Sequence, residues 1–223
     1  MLRSTIDKIG IATNHRYMNS KVRDRTKKEL LVRKKEFLKI CDVLDALKVN
    51  YFLNTGILLG AVRNNDFIKW DWDIEISVFS NEFVPKIDSI SNQLKKNGFK
   101  ITKFITDEDN PKIDFIGAYS KDVTSYTIYG WKYSKIRDVF WRKQLTVPAK
   151  YLKKFSKIKF LGRQFNCPIH CKEYLTFVYG NWKKPLRASN KKVYHTKNFY
   201  KKTSFFTIYL EKFLMKIYNF WIR

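Results

Sequence analysis

The sequence predicts an α+β fold in which a small mixed sheet is flanked by helices. Helix and strand patterns mix without a regular βαβ order, and several strand candidates follow each other directly. Hydrophobic residues make up 44% and aromatic residues 17% of the 223 residues, which supplies the apolar area that a folded core needs. We therefore expect one domain at residues 26–186, a basic arm at 1–25 and a basic linker with an amphipathic helix at 187–223.

Three segments have apolar residues at helical spacing. Thr26 and Glu29 form a capping-box pattern at the start of the first segment. Pro85 suits the first turn of the second, and Gly98 suits its left-handed stop. The predicted helices run from Thr26 to Asn50, from Glu82 to Asn97 and from Lys172 to Tyr179.

Strands are predicted where residues alternate or where β-branched and aromatic residues are enriched. The predicted strands are 51–53, 71–78, 100–105, 112–119, 123–129 and 131–140. The last two are expected to form a hairpin around Gly130. From there to Pro168 the sequence indicates basic irregular segments.

An acidic strand is the main chemical signal. Asp71, Asp73 and Glu75 alternate with apolar residues, so a strand would place them on one face, about 7 Å apart between successive Cα atoms. Three like charges in a row repel, so the pattern predicts a counter-ion. Mg²⁺ or Mn²⁺ suits such oxygen ligands and commonly binds phosphates as well. A solvated edge strand is the alternative for this pattern.

The neighbouring residues favour a phosphate site. Gly56 and Gly60 indicate a turn whose backbone N–H groups could meet phosphate, and Arg63 could bind a phosphate in bidentate geometry. Asp114 lies in an apolar frame, and on a neighbouring strand it would complete the carboxylate cluster. A capped or paired structural aspartate is the alternative for Asp114.

The charge balance is strongly basic, with 45 Lys and Arg against 20 Asp and Glu, a formal net charge of +25. Such a chain should associate with anions, whether nucleic acid, a phospholipid surface or a phosphorylated substrate. The N-terminal sequence indicates no secretory signal, and no apolar run suggests a membrane span. A reducing, cytoplasmic setting is expected.

Cysteine usage is sparse. Cys41, Cys167 and Cys171 cannot form a dense disulfide framework. Cys167, His170 and Cys171 form a weak zinc pattern for which His195 would be a distant fourth ligand. A buried thiol and a surface histidine are the favoured interpretation.

The segment Tyr51–Val78 resembles the core motif of the LicD family, relatives of fukutin and fukutin-related protein. That motif runs Y-x-L-x-x-G-T-L-L-G-x-x-R and, a few residues later, I-P-W-D-x-D-x-D. Glu75 stands where the family usually has Asp and keeps the carboxylate. The positions that match as they stand are Gly56, Leu58, Leu59, Gly60, Arg63, Ile68, Trp70, Asp71 and Asp73.

Later blocks extend the resemblance to roughly residues 30–186. Ile113-Asp114-Phe115 is similar to the family's apolar-Asp-apolar motif, and Tyr179–Trp182 resembles its Y-G-D-W ending. The departures from the family pattern are Ile57 for Ser or Thr, Lys69 for Pro and Asn181 for an acid.

The resemblance implies a nucleotidyltransferase (polymerase-β-like) fold and a metal-dependent phosphotransferase. Its relatives move phosphocholine or ribitol phosphate from a CDP-activated donor to a sugar hydroxyl, so a cell-surface or lipid-linked glycan is the expected acceptor. Asp71, Asp73 and Glu75 would hold Mg²⁺ (or Mn²⁺), and Asp114 would hold a metal or take the acceptor's proton. Gly56, Gly60 and Arg63 would bind the diphosphate.

Two other functions compete with this one. A nucleic-acid-binding protein would explain the charge and the interleaved aromatics but not the acidic strand. An RNA nucleotidyltransferase would keep the fold and change the substrate. The acids disfavour nucleic acid as a partner, because they would repel phosphate unless a metal intervenes.

The last segment, Thr203–Arg223, is predicted to be an amphipathic helix with a broad apolar face. It would either dock on the domain core or lie in the interface of an anionic membrane, with Trp and Tyr at the level of the headgroups. The second alternative would place the enzyme at the inner membrane face.

Overall fold

The computed structural model describes residues 23–71, 73–105, 114–119, 124–142, 145–187, 191–199 and 204–221. Most of the predicted basic arm lies outside these ranges. The helices in them, numbered in chain order, are α1 (Lys27–Ala46), α2 (Thr55–Asn64), α3 (Ser80–Phe83), α4 (Ile87–Lys96), α5 (Cys171–Tyr179), α6 (Lys191–Tyr194) and α7 (Phe205–Trp221). Short 3-10 turns occupy Val84–Lys86 and Ala149–Tyr151. Among the helices that the structure describes, none combines the length and hydropathy of a transmembrane span.

The strands form one sheet. They are β1 (Tyr51–Phe52), β2 (Asp73–Phe79), β3 (Lys100–Ile105), β4 (Asp114–Tyr119), β5 (Ser125–Ser134), β6 (Val139–Arg142), β7 (Leu145–Pro148), β8 (Phe155–Phe160) and β9 (Arg163–Pro168). The order is β3-β4-β5-β2-β1-β9-β8, and β6 joins β5 to β7. β2 is parallel to β5 and β1 is parallel to β9, whereas the other pairs are antiparallel. The prediction of a mixed α+β sheet with flanking helices is confirmed.

The core lies on the face of β2 opposite its acids. Ile74, Ile76 and Val78 are buried there, as strand alternation predicts. Tyr126 on β5 is buried on the same side and donates a hydrogen bond to Glu36 of α1, with 2.6 Å between the oxygens. The acidic residues of β2 therefore face away from the main core.

The predicted helices are largely confirmed. The Thr26 side chain accepts a hydrogen bond from the Glu29 N–H, and the Glu29 carboxylate accepts one from the Thr26 N–H, so the capping box is complete. The predicted helix 82–97 is instead divided into α3, a 3-10 turn and α4. Pro85 lies in that turn and has no N–H to donate to the preceding turn of a helix. Gly98 has φ +87°, as its predicted role as a helix stop requires.

The predicted hairpin around Gly130 is wrong. Gly130 lies inside β5, opposite Val78 on one side and Asp114 on the other. The chain turns instead between Ser134 and Asp138, where Asp138 has φ +50°. A strand that is hydrogen-bonded on both sides has no room to reverse at Gly130.

The interpretation of the chain up to Pro168 as irregular is also wrong, because β7, β8 and β9 lie there. β8 and β9 form a hairpin around Leu161 and Gly162, whose φ values are +51° and +86°. Two successive positive φ values are typical of a type I′ turn. The Leu-Gly pair between alternating segments was the sequence signal for this hairpin.

Part of the segment predicted as a linker packs on the domain. Phe199 is fully buried, and its carbonyl accepts a hydrogen bond of 3.0 Å from the Thr146 N–H. The Thr196 N–H donates to the Val178 carbonyl at 2.9 Å. Residues 191–199 therefore cover the end of α5.

Candidate active site

The glycine segment before the acids forms helix α2, so the predicted turn is wrong. Asn54 is the N-cap: its side-chain oxygen accepts a hydrogen bond of 2.8 Å from the Thr55 N–H and another from the Tyr174 hydroxyl. Gly56 lies in the first turn of α2, where backbone N–H groups have no partner within the helix. The helix start, rather than a turn, is the part of this segment suited to an anion.

Gly56 makes room for the Asp71 carboxylate. A Cβ atom at position 56 would lie 2.7 Å from Asp71 Oδ2, closer than real Cβ contacts. The first turn of α2 and the Asp71 side chain are therefore in direct contact, and a Cβ atom at position 56 would require the carboxylate to move.

Two arginine side chains donate hydrogen bonds to the backbone carbonyl of Asp71. Arg33 of α1 is fully buried, and its Nη1 donates to the Asp71 carbonyl at 2.6 Å. Arg25 Nε donates to the same oxygen at 3.4 Å. The Asp71 N–H bonds the Ile68 carbonyl at 3.0 Å. Asp71 precedes β2, which begins at Asp73, and these contacts hold it in place without strand pairing.

Asp71 and Asp73 form a close carboxylate pair. Burial raises the pKa of Asp71 well above its usual range, and the neighbouring charge of Asp73 raises it further, while Arg33 acts in the opposite direction. Two close carboxylates of this kind favour a bound cation or a shared proton.

Glu75 is held by a buried ion pair. Arg142 Nη2 lies 2.8 Å from Glu75 Oε2, and the two side chains are 5% and 15% exposed. The Thr55 hydroxyl lies 3.4 Å from the same oxygen. The Arg142 guanidinium also stacks on the ring of Tyr129, 3.9 Å from its centroid. Glu75 thus lies beside the start of α2, with its charge balanced by Arg142.

The structure does not bring Asp114 beside these acids. β5 is the strand next to β2, with Ser125 opposite Asp73 and Thr127 opposite Glu75. Asp114 lies on β4, one strand further away, at the level of Val78. The prediction that Asp114 lies on a strand adjacent to β2 is therefore wrong, and its catalytic role stays a prediction that the strand register does not favour.

Gly60 and Arg63 lie further along α2. A Cβ atom at Gly60 would lie 2.5 Å from the Asp66 carbonyl oxygen, so Gly60 permits the close return of the chain after the helix. Arg63 lies over the ring of Trp70, 5.6 Å from its centroid. Its Nε and Nη2 are buried, and no hydrogen-bond partner for either lies among the described residues. Arg63 can therefore donate hydrogen bonds to a polar ligand. Gly60, by contrast, has a packing role.

The carboxylates fit a magnesium site with few protein ligands. Within the described part of the chain, no three His, Cys, Asp or Glu side chains group closely enough to hold a metal by themselves. Mg²⁺ usually takes one or two carboxylates and completes its shell with water and substrate phosphates. The close pair of Asp71 and Asp73 meets that requirement.

The zinc alternative gains no support from the same residues. Cys167 is buried and lies 3.2 Å from the Ser156 hydroxyl, and burial raises the pKa of its thiol. His170 precedes α5 with φ +57°. These contacts are those of a structural thiol and a helix-start residue.

Sequence reasoning missed three residues that support the site, Arg33, Asn54 and Arg142. Arg33 interrupts the apolar stripe of α1 four residues before Phe37, and a charge inside such a stripe is a signal for a buried partner. Arg142 follows two aromatic residues in β6, but no sequence pattern around it predicts which residue it pairs with. Only the tertiary structure pairs it with Glu75.

We expect Arg142→Met to lower the free energy of unfolding by about 3 kcal/mol, because it removes the guanidinium that pairs with the buried Glu75 carboxylate. In the double variant Glu75→Gln/Arg142→Met, the free energy of unfolding should fall by about 1 kcal/mol less than the sum of the two single changes. Urea denaturation without metal measures both quantities. Arg163→Met is the control, since Arg163 pairs with the exposed Asp42 and Asp45. Its replacement should lower the free energy of unfolding by less. Additive single effects would contradict the pairing.

Comparisons with known proteins identify the family of this chain. A family profile described as "LicD/FKTN/FKRP, nucleotidyltransferase domain" matches residues 48–170, more than half of the chain. Over 40 residues the chain is 42% identical to the ribitol 5-phosphate transferase FKRP of Mus musculus and of Homo sapiens. That segment covers 18% of this chain and only 8% of those relatives.

Two solved structures show weaker similarity. The lincomycin-bound lincosamide antibiotic adenylyltransferase LnuA aligns with a TM-score of 0.43 and 15% identity, over 66% of this chain and 82% of that one. The antibiotic-resistance factor ANT(2'')-Ia aligns with a TM-score of 0.44 and 11% identity, over 62% of this chain and 66% of its own.

Proposed function

Because the chain belongs to the LicD/FKTN/FKRP nucleotidyltransferase family, we propose that it transfers a phospho-group from a CDP-linked donor to a sugar hydroxyl of a glycan. The group is of the phosphocholine or ribitol phosphate type. The relatives that share 42% identity over 40 residues are named as ribitol 5-phosphate transferases, which supports the second type. A cytoplasmic enzyme with a cell-surface or lipid-linked glycan as acceptor completes the proposal.

The observation that carries this proposal is the Asp71–Asp73 pair against the first turn of α2. Burial and the neighbouring charge of Asp73 raise the pKa of Asp71, so a bound cation would stabilise the ionised pair. The adjacent helix start offers N–H groups to an anion. A site that attracts both a cation and a phosphate on neighbouring surfaces suits transfer of a phospho-group.

The residues of the site have separate tasks in this proposal. Asp71 and Asp73 would hold Mg²⁺ or Mn²⁺, which supplies charge neutralisation at the diphosphate when bound. Gly56 and the first turn of α2 would approach a phosphate through backbone N–H groups. Arg63, whose buried nitrogens lack partners among the described residues, would bind a second phosphate oxygen.

Glu75 and Arg142 form the remaining wall of the site. The ion pair fixes the Arg142 guanidinium beside Glu75, two residues along β2 from Asp73, where it would balance charge on a transferred phosphate. Direct metal binding by Glu75 stays a prediction, and it would require Glu75 to exchange Arg142 for the cation. Catalysis in such a site consists mainly of orientation and charge stabilisation.

A nucleotide-release assay tests the substrate class. The purified chain is incubated with CDP-ribitol, CDP-choline or each plain NTP, with and without a sugar acceptor, and released CMP or pyrophosphate is measured. Acceptor-dependent CMP release from a CDP-linked donor is the expected result. Pyrophosphate release from NTPs with RNA would favour an RNA nucleotidyltransferase. Salt-sensitive nucleic-acid binding without release from any donor would favour a nucleic-acid-binding protein.

We expect activity to require a divalent cation, with Mg²⁺ or Mn²⁺ supporting it and excess EDTA stopping it. The physical reason is that the Asp71–Asp73 pair repels the donor's phosphates unless a cation lies between them. Mn²⁺ binding, followed by electron paramagnetic resonance, gives a readout that does not depend on turnover. Full transfer in excess EDTA, by protein that has been shown to contain no metal, would rule out this chemistry.

A further inference from the structure

Helix α7 carries an unusually exposed apolar surface. We call it the α7 stripe and define it as Phe206, Tyr209, Leu210, Phe213, Ile217 and Phe220. Their exposed fractions range from 40% at Ile217 to 80% at Phe220. The spacings of three and four residues put all six along one side of the helix. Large contiguous apolar patches on a protein surface usually mark an interaction site.

The opposite side of α7 contacts the domain. Glu211 is paired with Arg137 in the β5–β6 turn, with one contact to Nε and a second to Nη2 at 3.4 Å. Glu211 is only 14% exposed in this position. Since each residue turns a helix by about 100°, Phe213 projects roughly opposite Glu211. The ion pair therefore directs the α7 stripe away from the sheet.

This orientation favours one of the two alternatives left open by the sequence. A helix that closed the domain core would bury its aromatic residues, yet Phe206 and Phe213 are 76% and 60% exposed. The polar contact faces the domain and the apolar stripe faces outward. That is the arrangement of an interfacial helix whose polar side is supported by the protein.

Charge identifies the surface that this stripe fits. With a net charge of +25, two copies of the chain would repel each other, so a self-association through α7 is disfavoured. Lys216 is exposed beside the stripe. We propose that α7 docks the protein on an anionic lipid bilayer, with the α7 stripe at the acyl boundary and Lys216 at the headgroups. This docking is independent of which group the enzyme transfers.

Vesicle co-sedimentation of the full chain tests the proposal. Phosphatidylcholine vesicles with phosphatidylglycerol should bind the protein, and vesicles of phosphatidylcholine alone should bind it much less. Replacing Phe206, Phe213 and Phe220 together by Ser should reduce partitioning on the order of a hundredfold, because the aromatic area is lost. Salt should weaken binding to the anionic vesicles by screening the lysines, leaving the apolar part.

Matched variants separate docking from folding. Leucine at the same three positions keeps apolar area and should retain binding. Leu31→Ser/Leu186→Ser removes two residues that are 61% and 53% exposed elsewhere, and should bind as the unchanged chain does. Thermal melting should be similar for all of these proteins.

Three results would overturn the proposal. The first is failure of the unchanged protein to bind anionic vesicles. The second is equal binding by the serine triple variant. The third is a lipid-free dimer, detected by analytical ultracentrifugation, that dissociates when the stripe is changed to serine, since the occupant of the stripe would then be a second copy.

Discussion

Asp73→Asn is expected to reduce transfer about a thousandfold or more while the fold stays intact. Asp73 is the first residue of β2 and the charged neighbour that raises the pKa of Asp71. Removing its charge removes half of the carboxylate pair proposed to hold the cation. Because the two acids repel each other without metal, the change should not lower stability and could raise it slightly.

Nucleotide release and Mn²⁺ binding measure this prediction, and thermal melting checks the fold. Asp88→Asn is the control, since Asp88 is an exposed carboxylate at the start of α4, away from the site. Asp71→Asn should behave as Asp73→Asn does. Glu75→Gln is less simple, because it also leaves Arg142 without its partner. A folded Asp73→Asn protein with full turnover would exclude the proposed catalytic centre.

Gly56→Ala should reduce transfer by about a hundredfold, a large effect for the addition of one methyl group. The new Cβ would meet Asp71 Oδ2 at 2.7 Å, so the carboxylate would have to move out of the position that it shares with Asp73. Alanine suits a helix better than glycine does, so the helix itself should not be weakened. The expected result is a folded protein with weaker Mn²⁺ binding and slower release of nucleotide.

Gly60→Ala provides a comparison within the same helix. Its Cβ would meet the Asp66 carbonyl at 2.5 Å, and that backbone atom cannot rotate away as a side chain can. We therefore expect Gly60→Ala to lower the melting temperature more than Gly56→Ala does. If the two variants lost activity only in proportion to their stability, the contact of Gly56 with Asp71 would have no specific role.

Local patterns predicted much of the fold. The capping box at Thr26, the helix stop at Gly98 and the strand Lys100–Ile105 were predicted from short-range signals that determine local backbone conformation. The strands after residue 140 were missed, because the lysine-rich composition was interpreted as an irregular basic segment although Lys157–Phe160 alternates between exposed and more buried residues. Gly130 was predicted to be a turn residue, but pairing on both sides of β5 keeps it extended.

In the candidate site, too, some features were predictable from the sequence and others depended on tertiary packing. Asp71, Asp73, Glu75 and the glycine segment were recognised from their spacing, since alternation and a family motif are properties of consecutive residues. The effect of Gly56 on Asp71, by contrast, depends on how α2 packs beside the start of β2. The expectation that Asp114 lies on a strand adjacent to β2 failed for a related reason. A sequence pattern predicts that a segment is a strand but not which strands it pairs with.

By itself, the sequence determined the capping box at the start of α1, the acidic motif, the family and the excess of positive charge. All of these are carried by residue identity and short spacing. Only the tertiary structure decided that Glu75 pairs with Arg142, that Asp114 lies one strand too far away, and that the α7 stripe faces outward. Each of these depends on contacts between residues far apart in the chain, and such contacts follow from strand order and packing, which local periodicity does not encode.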